Sequence, residues 1–329
     1  MHELAVERIP IEVDRAGLNP LADLRLLMRY RKLLKRLRPA AYLSYTIKPN
    51  IYGSFAAASL GIPALPNVSG LGTAFIQGGG LQALVTRLYR LGFARAPVVF
   101  FQNEEDRNLF VNRRIVRQTQ ARALPGSGVD LEHFAPAPLP GGPPTFLFIG
   151  RLLRDKGVVE FVEAARSLRS KHPEARFQLL GAADEGNRTA VRQSEIDSWL
   201  TEGVVEQLGA TDDVRPFIAA ASAVVLPSYR EGLPRSLLEA AAMARPLIAA
   251  DVPGCRDVVE DGVNGYLCAV RDPGSLAAAM QCLLQLPPGQ RLAMGEAGRR
   301  RVQERFSEAL VIRAYLDVLA SLDRATLGS

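Results

Sequence analysis

The segment most informative about the fold is residues 227–267, PSYREGLPRSLLEAAAMARPLIAADVPGCRDVVEDGVNGYL. It indicates a loop, a helix that begins near Pro234, the strand PLIAAD, and a second glycine-bearing loop that leads to a short strand. Pro234 suits the first turn of the helix, because its missing N–H would be unpaired there in any case. The loop therefore presents Glu231 at the mouth of the helix, with Glu239 a little over one turn inside.

The same alternation of short apolar runs and helical patterns extends in both directions along the chain. Such alternation is typical of βαβ units, so the predicted fold class is α/β with doubly wound parallel sheets. The predicted strands lie at 41–45, 63–68, 98–102, 122–124, 145–152, 175–182, 204–210, 223–228, 246–251 and 265–270.

One segment interrupts this alternation and predicts a linker. HFAPAPLPGGPPT, residues 133–145, is dense in proline and glycine and has no periodic pattern. We therefore predict an N-terminal domain at 1–137, a C-terminal domain at 138–305, and a final helix at 306–329 that packs back toward the N-terminal domain.

The composition is that of an ordinary globular protein. With 329 residues, of which 48% are hydrophobic and 22% charged, the chain is long enough for two domains with separate cores. Its three cysteines are an odd number without paired spacing, which favours a reducing compartment. The first residues show no pattern of an export signal, and glycine and proline break the longest uncharged stretch. We expect a cytoplasmic protein without a membrane-spanning helix.

Positive charge is concentrated near the start of the chain, whose first 140 residues hold 18 Lys and Arg against 10 Asp and Glu. Much of it lies in RLLMRYRKLLKRLRP, residues 25–39, where leucines recur at helical spacing with cations between them. This pattern predicts a basic amphipathic helix. The helix is either a packed surface helix with a solvated face or an adhesion site for anionic lipids at the inner face of the cell membrane. No nucleic-acid recognition module accompanies the charge.

The helix near Pro234 is suited to hold an anion. A helix that begins at the carboxyl end of a parallel strand offers free N–H groups and the positive end of its dipole, so it can bind a diphosphate. Gly232 permits close approach of the backbone, Glu231 can bond to sugar hydroxyls, and Glu239 can accept from a ribose diol. Taken alone, the two glutamates could equally be a dipole-stabilising residue and a solvated helix carboxylate.

A second loop supplies positive charge. The segment GRLLRDKG, residues 150–157, follows a predicted strand and opens a helix. Arg151 and Lys156 would project at the carboxyl end of the sheet, where they can neutralise a diphosphate leaving group. Each alone could be a surface cation, but the combination with the neighbouring glutamate loop favours a phosphate site.

Metal ligands and catalytic histidines are not expected. Asp212 and Asp213 lead into a helix, where capping is the simpler role. Of the three histidines, His2 is terminal, His133 lies in a turn, and His172 ends a helix. We therefore predict no metal site.

Four segments form an ordered set: GRLLRDKG, LGATDDV, PSYREGLPRSLLEA and PGCRDVVEDGVNGYL. In these segments the chain resembles the retaining GT-B glycosyltransferases of family 4, the glycosyl transferases group 1, which include many bacterial polysaccharide and glycan enzymes. The resemblance implies two Rossmann-like domains facing a cleft and a nucleotide-sugar donor, with UDP favoured. It also implies transfer with retention of anomeric configuration, without a cofactor.

The resemblance also implies roles for individual residues. In that family the residues matching Arg151 and Lys156 bind the donor's phosphates, the one matching Glu231 contacts the transferred sugar, and the one matching Glu239 binds the ribose. The implied catalytic residues are therefore Glu231, Arg151 and Lys156. The implied donor site consists of Gly150, Arg151, Lys156, Glu231, Gly232, Leu233, Pro234 and Glu239.

The first half of the chain resembles one branch of this family, through AGLNPLADL, YTIKPNIYG, NVSGLGTAF, FQNEEDRNLF and LPGSGVDLEHF. This branch includes N-acetylgalactosaminyltransferases that act on undecaprenyl-diphosphate-linked acceptors. Lys48 and Asn50 would then lie on the acceptor side, although they could equally form an ordinary strand-to-helix turn. The family normally opens with a further strand and glycine-rich loop, so we expect the N-terminal domain to be incomplete at its start.

The function implied is transfer of a hexose or N-acetylhexosamine from a nucleotide-sugar to a lipid-linked saccharide. Two alternatives use the same architecture. A nucleotide-sugar 2-epimerase binds the same donors, and a non-catalytic partner subunit could retain the fold. The ordered motif set disfavours the epimerase, and the intact charged residues disfavour an inactive subunit.

Overall fold

The structure is a computed structural model that describes residues 6–13, 19–70, 79–184, 186–187 and 189–327. The chain divides into two compact units, Met1–Ala123 and Leu124–Ser329. His2, residues 16–18 of AGLNPLADL and residues 71–75 of NVSGLGTAF lie outside the described residues. All ten predicted strands are confirmed within a few residues of their expected bounds.

The first unit has a four-stranded parallel sheet with helices between the strands. In chain order its elements are α1 (Pro20–Leu37), β1 (Tyr42–Tyr45), a π-helical turn (Pro49–Gly53), α2 (Ser54–Ala58), β2 (Ala64–Val68), α3 (Gly79–Phe93), β3 (Val99–Phe101), α4 (Glu104–Asn112) and β4 (Ala121–Ala123). The strand order is β1-β2-β3-β4.

Helix α1 confirms the predicted amphipathic helix. The Asn19 side chain caps its start by accepting from the N–H groups of Leu21 and Ala22, at 3.0 and 3.3 Å. Its inward side chains recur every four residues and pack in one hydrophobic cluster with α2. These buried residues are Leu26, Tyr30 and Leu34.

The second unit has a six-stranded parallel sheet. Its elements are β5 (Thr145–Ile149), a 3-10 turn (Arg154–Lys156), α5 (Val158–Arg169), β6 (Arg176–Leu180), α6 (Gln193–Thr201), β7 (Glu206–Gly209), α7 (Arg215–Ala220), β8 (Ala223–Leu226), α8 (Arg235–Ala242), β9 (Leu247–Ala250), α9 (Cys255–Val258), β10 (Gly265–Cys268), α10 (Pro273–Gln285), α11 (Pro288–Arg305) and α12 (Glu308–Leu327). The strand order is β10-β9-β8-β5-β6-β7.

The chain order reverses in the middle of this sheet. Strands β6 and β7 are added on one side of β5, after which the chain crosses to β8 and adds β9 and β10 on the other side. Strands β8 and β9 are buried along their whole length, which explains why they appear in the sequence as unbroken apolar runs. Ligands of doubly wound proteins bind at such a reversal, beyond the carboxyl ends of the strands.

The fully buried Arg245 connects segment 137–138, which has no regular secondary structure, to the second unit. The Arg245 guanidinium donates to the carbonyl oxygens of Ile218, Ala219, Ala137 and Pro138 at 2.6 to 2.9 Å. Burial lowers its pKa to about 10. These hydrogen bonds attach segment 137–138 to residues 218–219, so the segment has a fixed place in the second unit.

Among the described residues, no helix has both the length and the apolar composition that a bilayer crossing requires.

Candidate active site

Two loops leave the carboxyl edge of the second sheet side by side. Strands β5 and β8 are hydrogen-bonded parallel neighbours, with Phe146 opposite Ala223 and Phe148 opposite Val225. Residues 150–157 follow β5, and residues 227–234 follow β8. The two predicted site segments therefore meet at the reversal point of the sheet.

These two loops fit closely against each other. Gly157 has a positive φ of 75°, and a Cβ there would overlap the carbonyl oxygen of Pro227, so only glycine fits. The N–H of Tyr229 donates to the Asp155 carbonyl oxygen at 2.9 Å, and the buried Ser228 hydroxyl donates to the same oxygen at 3.1 Å. The backbone on both sides of the site is thus fixed by main-chain contacts.

The structure brings Lys156 and Glu231 into direct contact. The Lys156 Nζ lies 2.5 Å from the Glu231 Oε1. The lysine side chain is 27% exposed and the glutamate side chain 11%, so the pair is largely shielded from solvent but reachable from it. A cation suited to a phosphate and a carboxylate suited to sugar hydroxyls therefore occupy one place.

Arg151 has an acidic partner of its own. Its guanidinium donates to the Asp184 carboxylate at 2.6 Å, and the arginine side chain is 58% exposed. Asp184 follows β6, the other neighbour of β5, so its loop leaves the same edge of the sheet. Gly181 lets these two loops approach, because a Cβ there would overlap the Gly150 carbonyl oxygen.

Residues 232–234 lead into helix α8. A Cβ on Gly254 would overlap the Gly232 carbonyl oxygen, and Leu233 is buried against Gly126. Pro234 lies one position earlier than predicted, at the N-cap with an extended ψ of 116°, since its fixed φ suits the cap as well as the first turn.

Helix α8 leaves its first N–H groups available for a ligand. The first bond of the helix runs from the Leu238 N–H to the Pro234 carbonyl oxygen, and Pro234 has no side-chain cap. The preceding N–H groups point out of the start of the helix, where they and the helix dipole favour an anion.

Glu239 is not a solvated helix carboxylate. Its side chain is only 12% exposed, and it pairs with Arg235 one turn earlier at 3.2 Å. Burial raises the pKa of the Glu239 carboxyl, and the Arg235 guanidinium offsets part of that rise. The fold therefore keeps a carboxylate in a place that disfavours its charge, which is typical of a side chain retained for binding.

Four neighbouring residues did not emerge from the sequence. Tyr229 donates through its hydroxyl to the Glu160 carboxylate at 2.7 Å, and the Arg271 guanidinium lies over the Tyr229 ring. Burial raises the pKa of the Tyr229 hydroxyl to about 12. Cys255 is fully buried, and burial together with the Glu231 charge raises the pKa of its thiol. Tyr229 lies within residues 227–234, the loop that the sequence had already singled out, and this position could have identified it.

The acceptor-side residues lie in the first unit. Lys48 forms an ion pair with Asp23 at 2.7 Å, and its side chain is 14% exposed. Asn50 is buried, accepts from the Ser44 hydroxyl at 2.8 Å, and donates to the Asn67 carbonyl oxygen at 2.7 Å. Their role toward an acceptor stays a prediction.

The acidic pair at residues 212–213 has a local structural role. The Asp213 carboxylate accepts from the Arg215 N–H at 3.0 Å and from the Arg215 guanidinium at 2.8 Å, and these bonds lower its pKa to about 2. In the part of the chain that the structure describes, no group of three or more His, Cys, Asp or Glu could hold a metal ion.

The buried Glu239 generates a pH prediction. Because its folded pKa is raised, the folded protein binds the proton more tightly than the unfolded chain. The stabilising contribution of the Glu239 carboxyl is full below its pKa in the unfolded chain. It is lost as pH rises through its raised pKa in the folded protein. Glu239→Gln should therefore match the wild type in unfolding free energy below about pH 4 and become the more stable protein as pH rises. Urea denaturation at a series of pH values measures this difference. An unfolding free energy of the wild type that rises relative to that of the variant with increasing pH would contradict the prediction.

Comparisons with known proteins agree with this geometry. Residues 143–286 match the family model described as glycosyl transferases group 1. The chain is 29% identical over 303 residues to the N,N'-diacetylbacillosaminyl-diphospho-undecaprenol alpha-1,3-N-acetylgalactosaminyltransferase of Campylobacter jejuni, covering 87% of this chain and 78% of that protein. Matches to several further relatives span about half of those proteins or less.

Solved structures show the same fold. Sucrose-phosphate synthase from Thermosynechococcus elongatus superposes with a TM-score of 0.76 at 20% identity, over 96% of this chain and 86% of that one. Anabaena HepE in complex with UDP and glucose has a TM-score of 0.77 at 18% identity, over 93% and 84% of the two chains. The chain is therefore a glycosyltransferase with the GT-B fold, and residues 143–286 of its second unit match the glycosyl transferases group 1.

Proposed function

We propose that the chain is a retaining glycosyltransferase that transfers a hexose or N-acetylhexosamine from a UDP-sugar to a lipid-linked saccharide in bacterial polysaccharide or glycan synthesis. The observation that carries this proposal is the contact between Lys156 and Glu231 at the reversal point of the sheet. A donor's diphosphate and its sugar are adjacent groups, so a site for both needs a cation and a carboxylate side by side.

Each side chain of the site has a role in this proposal. Lys156, Arg151 and the first N–H groups of α8 hold the diphosphate and stabilise its charge as it departs. Glu231 accepts from hydroxyl groups of the transferred sugar. The buried Glu239 accepts from the ribose diol, which explains why a carboxylate is kept there despite the cost of its burial.

The proposed reaction exchanges one C–O bond for another. The bond between the sugar's anomeric carbon and the diphosphate oxygen breaks, and a bond forms from that carbon to the acceptor oxygen. The acceptor's hydroxyl proton goes to the departing diphosphate on the same face, so the configuration is retained. In this proposal, Lys156, Arg151 and the start of α8 stabilise the charge that develops on the diphosphate.

The comparisons support the choice of substrates. The name of the Campylobacter relative includes an undecaprenol-linked acceptor and an N-acetylgalactosamine group. The Anabaena structure was solved with UDP and glucose. A UDP-sugar donor and an undecaprenyl-diphosphate-linked acceptor are therefore the first pair to assay.

We expect Glu231→Gln and Arg151→Ala each to lower the rate of sugar transfer about 100-fold to 1,000-fold, because each removes a preorganised charge from the donor site. UDP release from UDP-N-acetylgalactosamine and other UDP-sugars, with a lipid-linked acceptor, measures the rate. Arg154→Ala is the matched control, since Arg154 lies in the same loop, is 46% exposed and pairs with Glu195. Wild-type rates in either site variant would exclude the role given to that residue.

We expect transfer to continue in EDTA at an undiminished rate. Two side-chain cations and the start of α8 supply the positive charge that a divalent ion would otherwise supply, and the proposal assigns no ligand to a metal. Activity lost in EDTA and restored by Mg²⁺ or Mn²⁺ would contradict this expectation.

A lipid-linked acceptor also requires access to a membrane surface, and α1 is the element suited to it. Its outward face combines cations with exposed apolar side chains, among them Leu21 at 66% and Met28 at 56% exposure. We propose that this face binds anionic lipid head groups. Its exposed cations are Arg25, Arg29, Arg31, Lys32, Lys35 and Arg36.

Binding to vesicles should rise with their anionic lipid content and fall with salt, since the screening length shortens to about 3 Å at 1 M. Replacing Arg29, Arg31, Lys32, Lys35 and Arg36 by Gln should remove most of the binding in co-sedimentation. A matched control removes five exposed cations of the second unit, Lys171, Arg192, Arg300, Arg305 and Arg313. Equal binding by the α1 variant and the wild type would leave α1 as a packed surface helix with a solvated face.

A further inference from the structure

The loop that presents Glu231 is fastened at Tyr229 by a side-chain bond. The Tyr229 hydroxyl donates to the Glu160 Oε1 at 2.7 Å, and Glu160 belongs to the first turn of α5. Glu160 is only 8% exposed. The Arg271 guanidinium lies 4.3 Å from the centre of the Tyr229 ring. A short polar bond thus joins the loop after β8 to the helix that follows the loop after β5.

A backbone bond fastens the same residue at a second point. The Tyr229 N–H donates to the carbonyl oxygen of Asp155, the residue before Lys156. Glu160 is four residues after Lys156, so the two bonds from Tyr229 bracket the lysine. Glu231 follows Tyr229 by two residues. The separation of Lys156 and Glu231 therefore depends on where Tyr229 is held.

A carboxylate at position 160 is energetically unfavourable, because it is buried. Its Oε1 accepts from Tyr229, but its buried Oε2 has no hydrogen-bond partner among the residues that the structure describes. A buried polar atom without a partner destabilises the fold, and an apolar residue would avoid that cost. A carboxylate is nevertheless present, and its one bond goes to the glutamate loop.

We propose that Tyr229 and Glu160 are positioning residues that hold the Glu231 carboxylate at the place where the transferred sugar binds. The inference rests on the proposed function of Glu231. The hydroxyl bond limits movement of the loop relative to Lys156, and the backbone bond to Asp155 limits its rotation. Neither residue touches the substrate in this proposal.

Tyr229→Phe removes only the hydroxyl and should lower kcat about 10-fold to 100-fold, because small displacements of a catalytic group have effects of that size. The affinity for UDP, measured by calorimetry, should stay within about twofold of the wild type, since UDP lacks the transferred sugar that Glu231 would contact. A purely structural defect would instead weaken UDP binding and lower the thermal unfolding midpoint together.

Variants at position 160 test the bond from its other end. Glu160→Gln keeps an oxygen that accepts from Tyr229 and should retain nearly the wild-type kcat. Glu160→Leu removes the acceptor and should match Tyr229→Phe. The double variant Tyr229→Phe/Glu160→Leu should be no slower than either single variant, since both remove one interaction. Losses that multiply in the double variant would overturn the proposal. Tyr266→Phe, in strand β10, is the control for loss of a tyrosine hydroxyl.

Hydrogen–deuterium exchange of residues 228–234 decides the question independently of transfer. Exchange there should be faster in Tyr229→Phe and Glu160→Leu than in the wild type, with the rest of the second unit unchanged. Faster exchange with an unchanged kcat, or a lower kcat with unchanged exchange, would overturn the positioning role. A wild-type protein that transfers no sugar would contradict the proposed function, and exchange alone would still show whether the bond holds the loop.

Discussion

The pairing of β5 with β8 is the constraint on which the site depends. Later strands are added first on one side of β5 and then, from β8 onward, on its other side. The loops that follow β5 and β8 are therefore neighbours in space although about 75 residues apart in sequence. Gly157 makes this arrangement possible, since any side chain there would overlap the Pro227 carbonyl oxygen. Lys156 and Glu231 meet because the backbones of their loops are in close contact at Gly157 and Pro227.

The charged side chains of the candidate site form ion pairs. Lys156 contacts Glu231, Arg151 contacts Asp184, and Arg235 contacts Glu239. A pair that is partly exposed contributes little to stability, because solvent screens it. Such pairs can exchange a protein partner for a phosphate or a hydroxyl at small cost. In the proposed function, these cations would exchange a carboxylate partner for the diphosphate of the donor.

The sequence predicted the strands and the two parallel sheets, because apolar periodicity and helix-start signals are local properties. It also predicted that the two motif loops lie on neighbouring parts of one sheet, but not the contact between Lys156 and Glu231. It did not predict Asp184 or Glu160 as partners. Each partner belongs to a different element from the residue it contacts, and the strand order that brings those elements together is not a local property. The burial of Glu239 could not be predicted either, because helical spacing alone does not tell whether a carboxylate faces solvent or a neighbouring loop.

Helix α1 shows why one pattern supported two interpretations. Its buried residues, Leu26, Tyr30 and Leu34, satisfy the packed-helix interpretation, since they fill the cluster shared with α2. They do not account for Leu21 and Met28, which are more than half exposed on the other side among the cations. Water solvates cations well and apolar side chains poorly, so a helix that only faced solvent would gain nothing from that apolar strip. A lipid interface favours both groups at once, with apolar side chains below the head groups and cations among them. The two faces are therefore compatible with both interpretations at once, packing on α2 and the proposed binding to a membrane surface.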